Sequence, residues 1–184
     1  ALLGRYSEPH RSYHTLRHLD ACFANFATLR GQATYPAEVE LALWFHDAVY
    51  NPLRGNNEEK SARLAATALA KLGFPPERTT RVELLILRTK NHPVREANED
   101  TDTQFMLDCD LLVLAADAAT YQEYVRAVRR EYRYYPDVLY RPGRRQVLEK
   151  FLAMPRLYRT DDFARRFEAS ARRNLTAEVA ALAN

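Results

Sequence analysis

The stretch PAEVELALWFHDAVY, residues 36–50, decides the fold class. Pro36 suits the first turn of a helix, where its missing N–H costs nothing. Val39, Leu41, Leu43, Trp44 and Phe45 follow without the apolar-polar alternation of a strand. A buried helix running on to Val49 is expected, with the polar pair His46-Asp47 at its edge. The same reading extends outward in both directions. Upstream, a helix is expected over about 12–29, stopped by Gly31. Downstream, NPLRGNN (51–57) is a loop by its turn residues. A helix then covers about 57–73, with Glu58 and Glu59 at its electropositive start. Further helices are expected over about 77–90, 102–115, 118–132 and 144–153. A last one, capped by Asp161 or Asp162, runs to about residue 180. Residues 93–100 form a polar connection. The expectation is an all-α, single compact domain over residues 1–184, of about eight helices.

Composition agrees with that reading. A chain of 184 residues with 47% hydrophobic and 28% charged residues can bury one core. Five glycines and nine prolines exclude collagen-like or low-complexity character. The longest apolar run, LLVLAA (111–116), is far below the ~20 residues of a membrane span. The first twenty residues lack the apolar centre of a secretory signal, so a cytoplasmic protein with no membrane partner is expected. Cys22 and Cys109 form no CxxC pair, which removes a cysteine zinc site and leaves buried free thiols as the expectation.

The net charge of +3 is unevenly distributed. Residues 1–120 hold 13 Lys and Arg against 16 Asp and Glu, a net of −3, and residues 121–173 hold 14 against 7, a net of +7. An Arg-rich half suits either nucleic acid or an anionic substrate. Tyr121, Tyr124, Tyr132, Tyr135 and Tyr140 lie among these arginines and could stack bases. Such rings more often sit half-buried at helix seams with their hydroxyls wet, so nucleic acid is not the expected partner.

Four of the five histidines fall into a pattern with aspartates. His14 and His18, four apart, share one helix face. His46-Asp47 closes the apolar run ELALWF, and Asp108 and Asp110 stand inside FMLDCDLLVLA. A buried carboxylate needs a partner, either an arginine or a cation that also takes imidazole nitrogen. His10 lies outside the pattern.

In order along the chain, His18, His46-Asp47 and Asp110 resemble the signature of the HD superfamily of metal-dependent phosphohydrolases, an all-helical fold. The segments YHTLRH (13–18), WFHDAVYN (44–51), NEEKSA (57–62), TKNH (89–92) and LDCDLLVL (107–114) resemble a small bacterial subfamily of predicted HD phosphohydrolases. So do EYRYYPDVLYRPGRRQVLEKFL (131–152) and ARRNL (171–175). The resemblance implies His18, His46, Asp47 and Asp110 as ligands of one divalent metal ion, with Asp108 behind them. Two imidazoles and two carboxylates suit Mn, Fe, Co, Ni or Mg better than a closed zinc site.

It also implies hydrolysis of a phosphate ester or anhydride in a small phosphorylated substrate, a nucleotide being one candidate, by water that the metal activates. Asp47 would orient that water, with Glu58 as a candidate base. Lys90 and His92 form a basic cluster at a helix end, placed to reach the phosphate. His14, Arg17, Tyr50, Arg144 and Arg172 are candidate substrate contacts. The alternatives are a nucleotide sensor, or a nucleic-acid-binding helical module with a non-catalytic metal site.

Overall fold

The computed structural model describes residues 2–183, and every described element is helical. The α-helices are α1 (Leu2–Arg5), α2 (Leu16–Leu29), α3 (Pro36–Phe45), α4 (Asn57–Lys71), α5 (Pro76–Thr89), α6 (Thr101–Leu111), α7 (Ala118–Glu131), α8 (Asp137–Ala153) and α9 (Asp161–Ala183). Short 3₁₀ turns follow α2 and α6. The fold is all-α, as the periodicity implies. Among the described residues no helix is long and apolar enough to cross a membrane. The chain divides into two compact units, the first ending at Asp110 and the second beginning at Leu111.

In the first unit α3 is the central element, packed against α2, α4 and α5. Its Val39, Ala42 and Leu43 are wholly buried, as are Ala65 of α4 and Val82 and Ile86 of α5. The start of α6 is tied to the entry of α3, because the Asp102 carboxylate accepts the backbone N–H groups of Thr34 and Tyr35, both at 2.8 Å. Further along α6, the Cys22 thiol of α2 donates to the Cys109 carbonyl at 3.7 Å. Both cysteines are free and buried.

Two helix ends differ from the periodicity, and one buried side chain accounts for both. The second helix begins at Leu16 rather than near residue 12, and the third stops at Phe45 rather than Val49. The Arg11 guanidinium donates to the carbonyls of His14 (3.1 Å), Asp47 (2.7 Å) and Ala48 (3.3 Å). The His14 carbonyl, which a helix begun at residue 12 would turn to the N–H of His18, faces the guanidinium instead, and those of Asp47 and Ala48 are anchored by it just beyond α3. Farther along, α8 starts at Asp137 instead of Arg144. Pro142 lies inside it, and a proline there removes one helical hydrogen bond without ending the helix. The predicted helix over 102–115 is α6 followed by the 3₁₀ turn Leu112–Ala115.

Glu38 of α3 is buried and clamped by two arginines of α5. Arg78 donates through Nε to Oε1 at 2.7 Å and through a terminal nitrogen to Oε2 at 3.2 Å, and Arg81 reaches Oε1 at 3.2 Å. Burial pushes the Glu38 carboxyl up, but the two guanidinium groups outweigh it and hold it below its ordinary value. A depressed carboxylate stabilises the fold above its unfolded pKa, about 4.3, and loses that contribution as pH falls through the folded value. Glu38→Gln should therefore cost about 2 kcal/mol at pH 7. In urea titrations, the gap between variant and wild type should narrow steadily as pH falls below about 4.3. A gap as wide at pH 3 as at pH 7 would show that the charge is not what the arginines hold.

The second unit is built on α9, which packs against α8 and the 3₁₀ turn after α6, with α7 on the same turn. Leu148, Leu157, Tyr158, Ala171 and Leu175 are wholly buried in it. Asn174 donates to the carbonyls of Leu114 and Ala116, both at 2.9 Å, satisfying the end of the 3₁₀ turn. Leu157 and Tyr158 give their backbone N–H groups to the Glu168 carboxylate.

Candidate metal centre

Each donor of the predicted cluster stands at or near a helix end, where backbone geometry fixes it. His18 lies in the first turn of α2, His46 caps the C-terminus of α3, and Asp47 follows at once. Asp110 is in the last turn of α6. These four residues, spread over 93 positions of sequence, converge. His18 Nε2 is 3.3 Å from His46 Nε2, 3.6 Å from Asp47 Oδ2 and 3.1 Å from Asp110 Oδ1. His46 Nε2 is 3.1 Å from Asp47 Oδ2 and 3.5 Å from Asp110 Oδ1. Both histidines are buried, and the carboxylates are nearly so.

The donor set fits one divalent cation. Nitrogen and oxygen ligands about 2.0–2.2 Å from a first-row metal stand roughly 3.0–3.5 Å from one another, the spacing seen here. The tautomer fits as well. His46 Nδ1 lies 2.8 Å from the Leu43 carbonyl, which can only accept, so Nδ1 carries the hydrogen and Nε2 faces the cluster. His18, Cys22 and Asp110 form a second overlapping group of donors. Asp108, wholly buried, belongs to neither group, which agrees with its place behind Asp110.

The electrostatics follow from two carboxylates enclosed with imidazoles. Burial opposes charge on His46, but Asp47 and Asp110 overcome it and hold the imidazole well above its ordinary value. Burial likewise pushes Asp47 up, and His46, His14 and His18 more than reverse it. Asp110 is held well below the carboxylate range by hydrogen bonds from His18, His46 and His92, again against burial. Both carboxylates are thus ionised, and a cation would compete with a proton for His46 Nε2.

Around this centre the other predicted residues divide. His92 joins it, with Nε2 3.2 Å from Asp110 Oδ2. It is delivered by a left-handed link, Asn91 at φ 65° and His92 at φ 39°. Two such non-glycine residues cost on the order of 1–3 kcal/mol each. His14 stacks on Tyr50 with ring centroids 4.2 Å apart and lies 6.0 Å from the His18 ring. His10, outside the sequence pattern, bonds the Tyr50 carbonyl through Nε2 at 2.8 Å, and its ring lies near-parallel to that of Tyr50.

The remaining predicted residues have other partners or stand outside the donor groups. Lys90 is ion-paired with Glu59, so a neighbouring helix holds the cation expected to meet a phosphate. Glu58 is half-buried in the first turn of α4 and belongs to neither donor group. Arg17 is exposed, one residue from buried His18. Arg144 and Arg172 are committed within the second unit. Arg144 bonds Glu178 and Tyr124, and Arg172 bonds Glu168 and the carbonyls of Leu152 and Met154.

Arg11 is the structural residue that sequence reasoning missed. Besides its three carbonyls it bonds Glu8 at 3.0 Å, and its guanidinium lies 5.2 Å and 5.5 Å from the Tyr6 and Tyr50 rings. One arginine in a polar loop carries no signal of this. Arg11→Met keeps the aliphatic stem but strands three carbonyls, and should cost about 3 kcal/mol in urea unfolding. A loss under 1 kcal/mol would mean that water replaces the guanidinium.

Compared with protein-family models, with curated proteins and with solved structures, the chain has no match.

Proposed function

We propose that the chain is a metal-dependent phosphohydrolase of the HD type, acting on a small phosphorylated substrate. The observation that carries the reading is the convergence of two imidazole nitrogens, 3.3 Å apart, each of which lies within 3.1–3.6 Å of an oxygen of Asp47 and of an oxygen of Asp110. Together with the HD-like order of these residues, it supports one divalent cation held by His18, His46, Asp47 and Asp110. A cation bound there would acidify water and polarise a phosphoryl oxygen.

The remaining work falls to the chain's own groups. His46, fixed by the Leu43 carbonyl, keeps one nitrogen facing the cluster without needing to reorient. The ionised Asp47, whose Oδ2 lies 3.1 Å from His46 Nε2, keeps a side-chain exposure of 18%, enough for its carboxylate to orient an attacking water. His14 and Tyr50, stacked and half-exposed, offer a planar shelf for the organic part of a substrate. Lys90, half-exposed on Glu59, can exchange that carboxylate for a phosphate.

The test is a panel of phosphomonoesters, cyclic nucleotides and nucleoside triphosphates, each with Mn, Co, Ni and Mg. Asp47→Ala serves as the control. Activity that depends on the metal and vanishes in the variant is expected, and equal activity in the variant would remove the metal chemistry. Tight retention of a nucleotide without turnover would favour a sensor.

A further inference from the structure

We propose that His92 is a positioning residue for the cation site, tying down one oxygen of Asp110 so that the other stays turned toward His18 and His46. This rests on the cation-site reading above, and it takes His92 away from the substrate. The two oxygens of Asp110 serve different neighbours. Oδ1 faces His18 at 3.1 Å and His46 at 3.5 Å, while Oδ2 faces His92 Nε2 at 3.2 Å.

The carboxylate torsion of an aspartate is soft, with broad rather than sharply defined minima. An untied Asp110 can therefore rotate, present both oxygens at once, or swing between His18 and His46. A donor on the far oxygen removes that freedom. His92 meets the requirement, since its side chain is 13% exposed and directs Nε2 at the outer oxygen. That nitrogen is then occupied by Asp110 and is not available to a phosphate.

The backbone is shaped for this purpose. After α5 ends at Thr89, Lys90 is extended (φ −65°, ψ 121°), and the left-handed pair Asn91-His92 follows immediately. Histidine tolerates positive φ better than most residues, yet it remains an uncommon conformation. A hydrogen bond formed by the strained residue itself is a direct reason for the conformation to persist.

The experiment is a Mn²⁺ titration of chelator-stripped full chain, following free Mn²⁺ by electron paramagnetic resonance. Wild type, His92→Ala and His92→Gln are compared. His92→Ala should weaken Mn²⁺ binding about 10–100-fold, the usual effect of losing a group that orients a ligand. His92→Gln retains an N–H donor at similar reach and should recover most of the loss.

Unchanged Mn²⁺ affinity in His92→Ala overturns the inference. So does a loss that His92→Gln fails to reduce, since the donor and not the ring volume carries the argument. Thermal melting of each stripped protein confirms that the variants compared are folded, and His92→Leu, which keeps bulk without a donor, takes the place of His92→Ala if His92→Ala is not. Wild-type protein that binds no Mn²⁺ removes the cation reading itself, whereas wild-type binding with unaffected His92→Ala removes this inference alone.

Discussion

On the proposed reading, Asp110→Asn should abolish metal-dependent turnover, lowering kcat by about 10³-fold or more at any accessible Mn²⁺ concentration. The substitution preserves shape and removes the charge, which the site can least spare. Asp110 is the carboxylate that meets three imidazoles, which hold it ionised well below the ordinary carboxylate range. Losing the electrostatic contribution of a well-held cation forfeits several kcal/mol of transition-state stabilisation, and each 1.4 kcal/mol is about tenfold in rate. Binding can be separated from chemistry by thermodynamics. At a hundred times its Kd, Mn²⁺ should stabilise the wild type by about 2.7 kcal/mol against urea, and at the same concentration it should leave Asp110→Asn unshifted. Equal stabilisation of the two proteins would place the cation elsewhere.

The second large effect is expected in the other unit. Glu178→Ala should destabilise it by about 3–5 kcal/mol, because it strands a buried guanidinium. Arg144 donates through Nε to Glu178 Oε1 at 2.7 Å, while the Tyr121 hydroxyl donates to Oε2 at 2.6 Å. The pair is close to fully enclosed, with side chains 10% and 4% exposed. Burial, the nearby Glu178 charge and the hydrogen bond to it all push the Tyr121 phenol well above its ordinary value, so this hydroxyl remains a donor. The double substitution Arg144→Met with Glu178→Leu should recover most of the loss, since a buried pair replaced by apolar volume is often neutral. Urea unfolding of the single and double variants measures this directly. A neutral Glu178→Ala would show that the Arg144 guanidinium needs no carboxylate at that position.

What was legible in the sequence follows from how local each signal is. The helices could be read because apolar periodicity is a property of a dozen neighbouring residues. The cluster's histidines and aspartates stand out locally as polar groups inside or beside apolar helices, but the choice of these four, Asp110 over Asp108 included, comes from the HD resemblance. Partners drawn from distant segments could not be read. Lys90 looks like a free cation until α4 supplies Glu59, and Arg144 looks like a phosphate ligand until α9 supplies Glu178. Arg11 and His10 sit in a polar loop whose composition gives no hint that residues 47–50 lie against it. The helix ends at Leu16 and Phe45 were obscured for the same reason, since a guanidinium from outside both helices claims the carbonyls.

Asp110 is the last residue of the first unit, and Leu111 opens the second. A proteolytic nick or gene truncation just ahead of position 110 would deprive the N-terminal piece of one of the four proposed ligands. One placed a few residues beyond would leave it with every proposed donor from His18 to Asp110. If the cation site is as proposed, dissection of the chain has a sharp chemical boundary, and a nested series of C-terminal deletions stepped across it should switch metal uptake on within a single turn of helix.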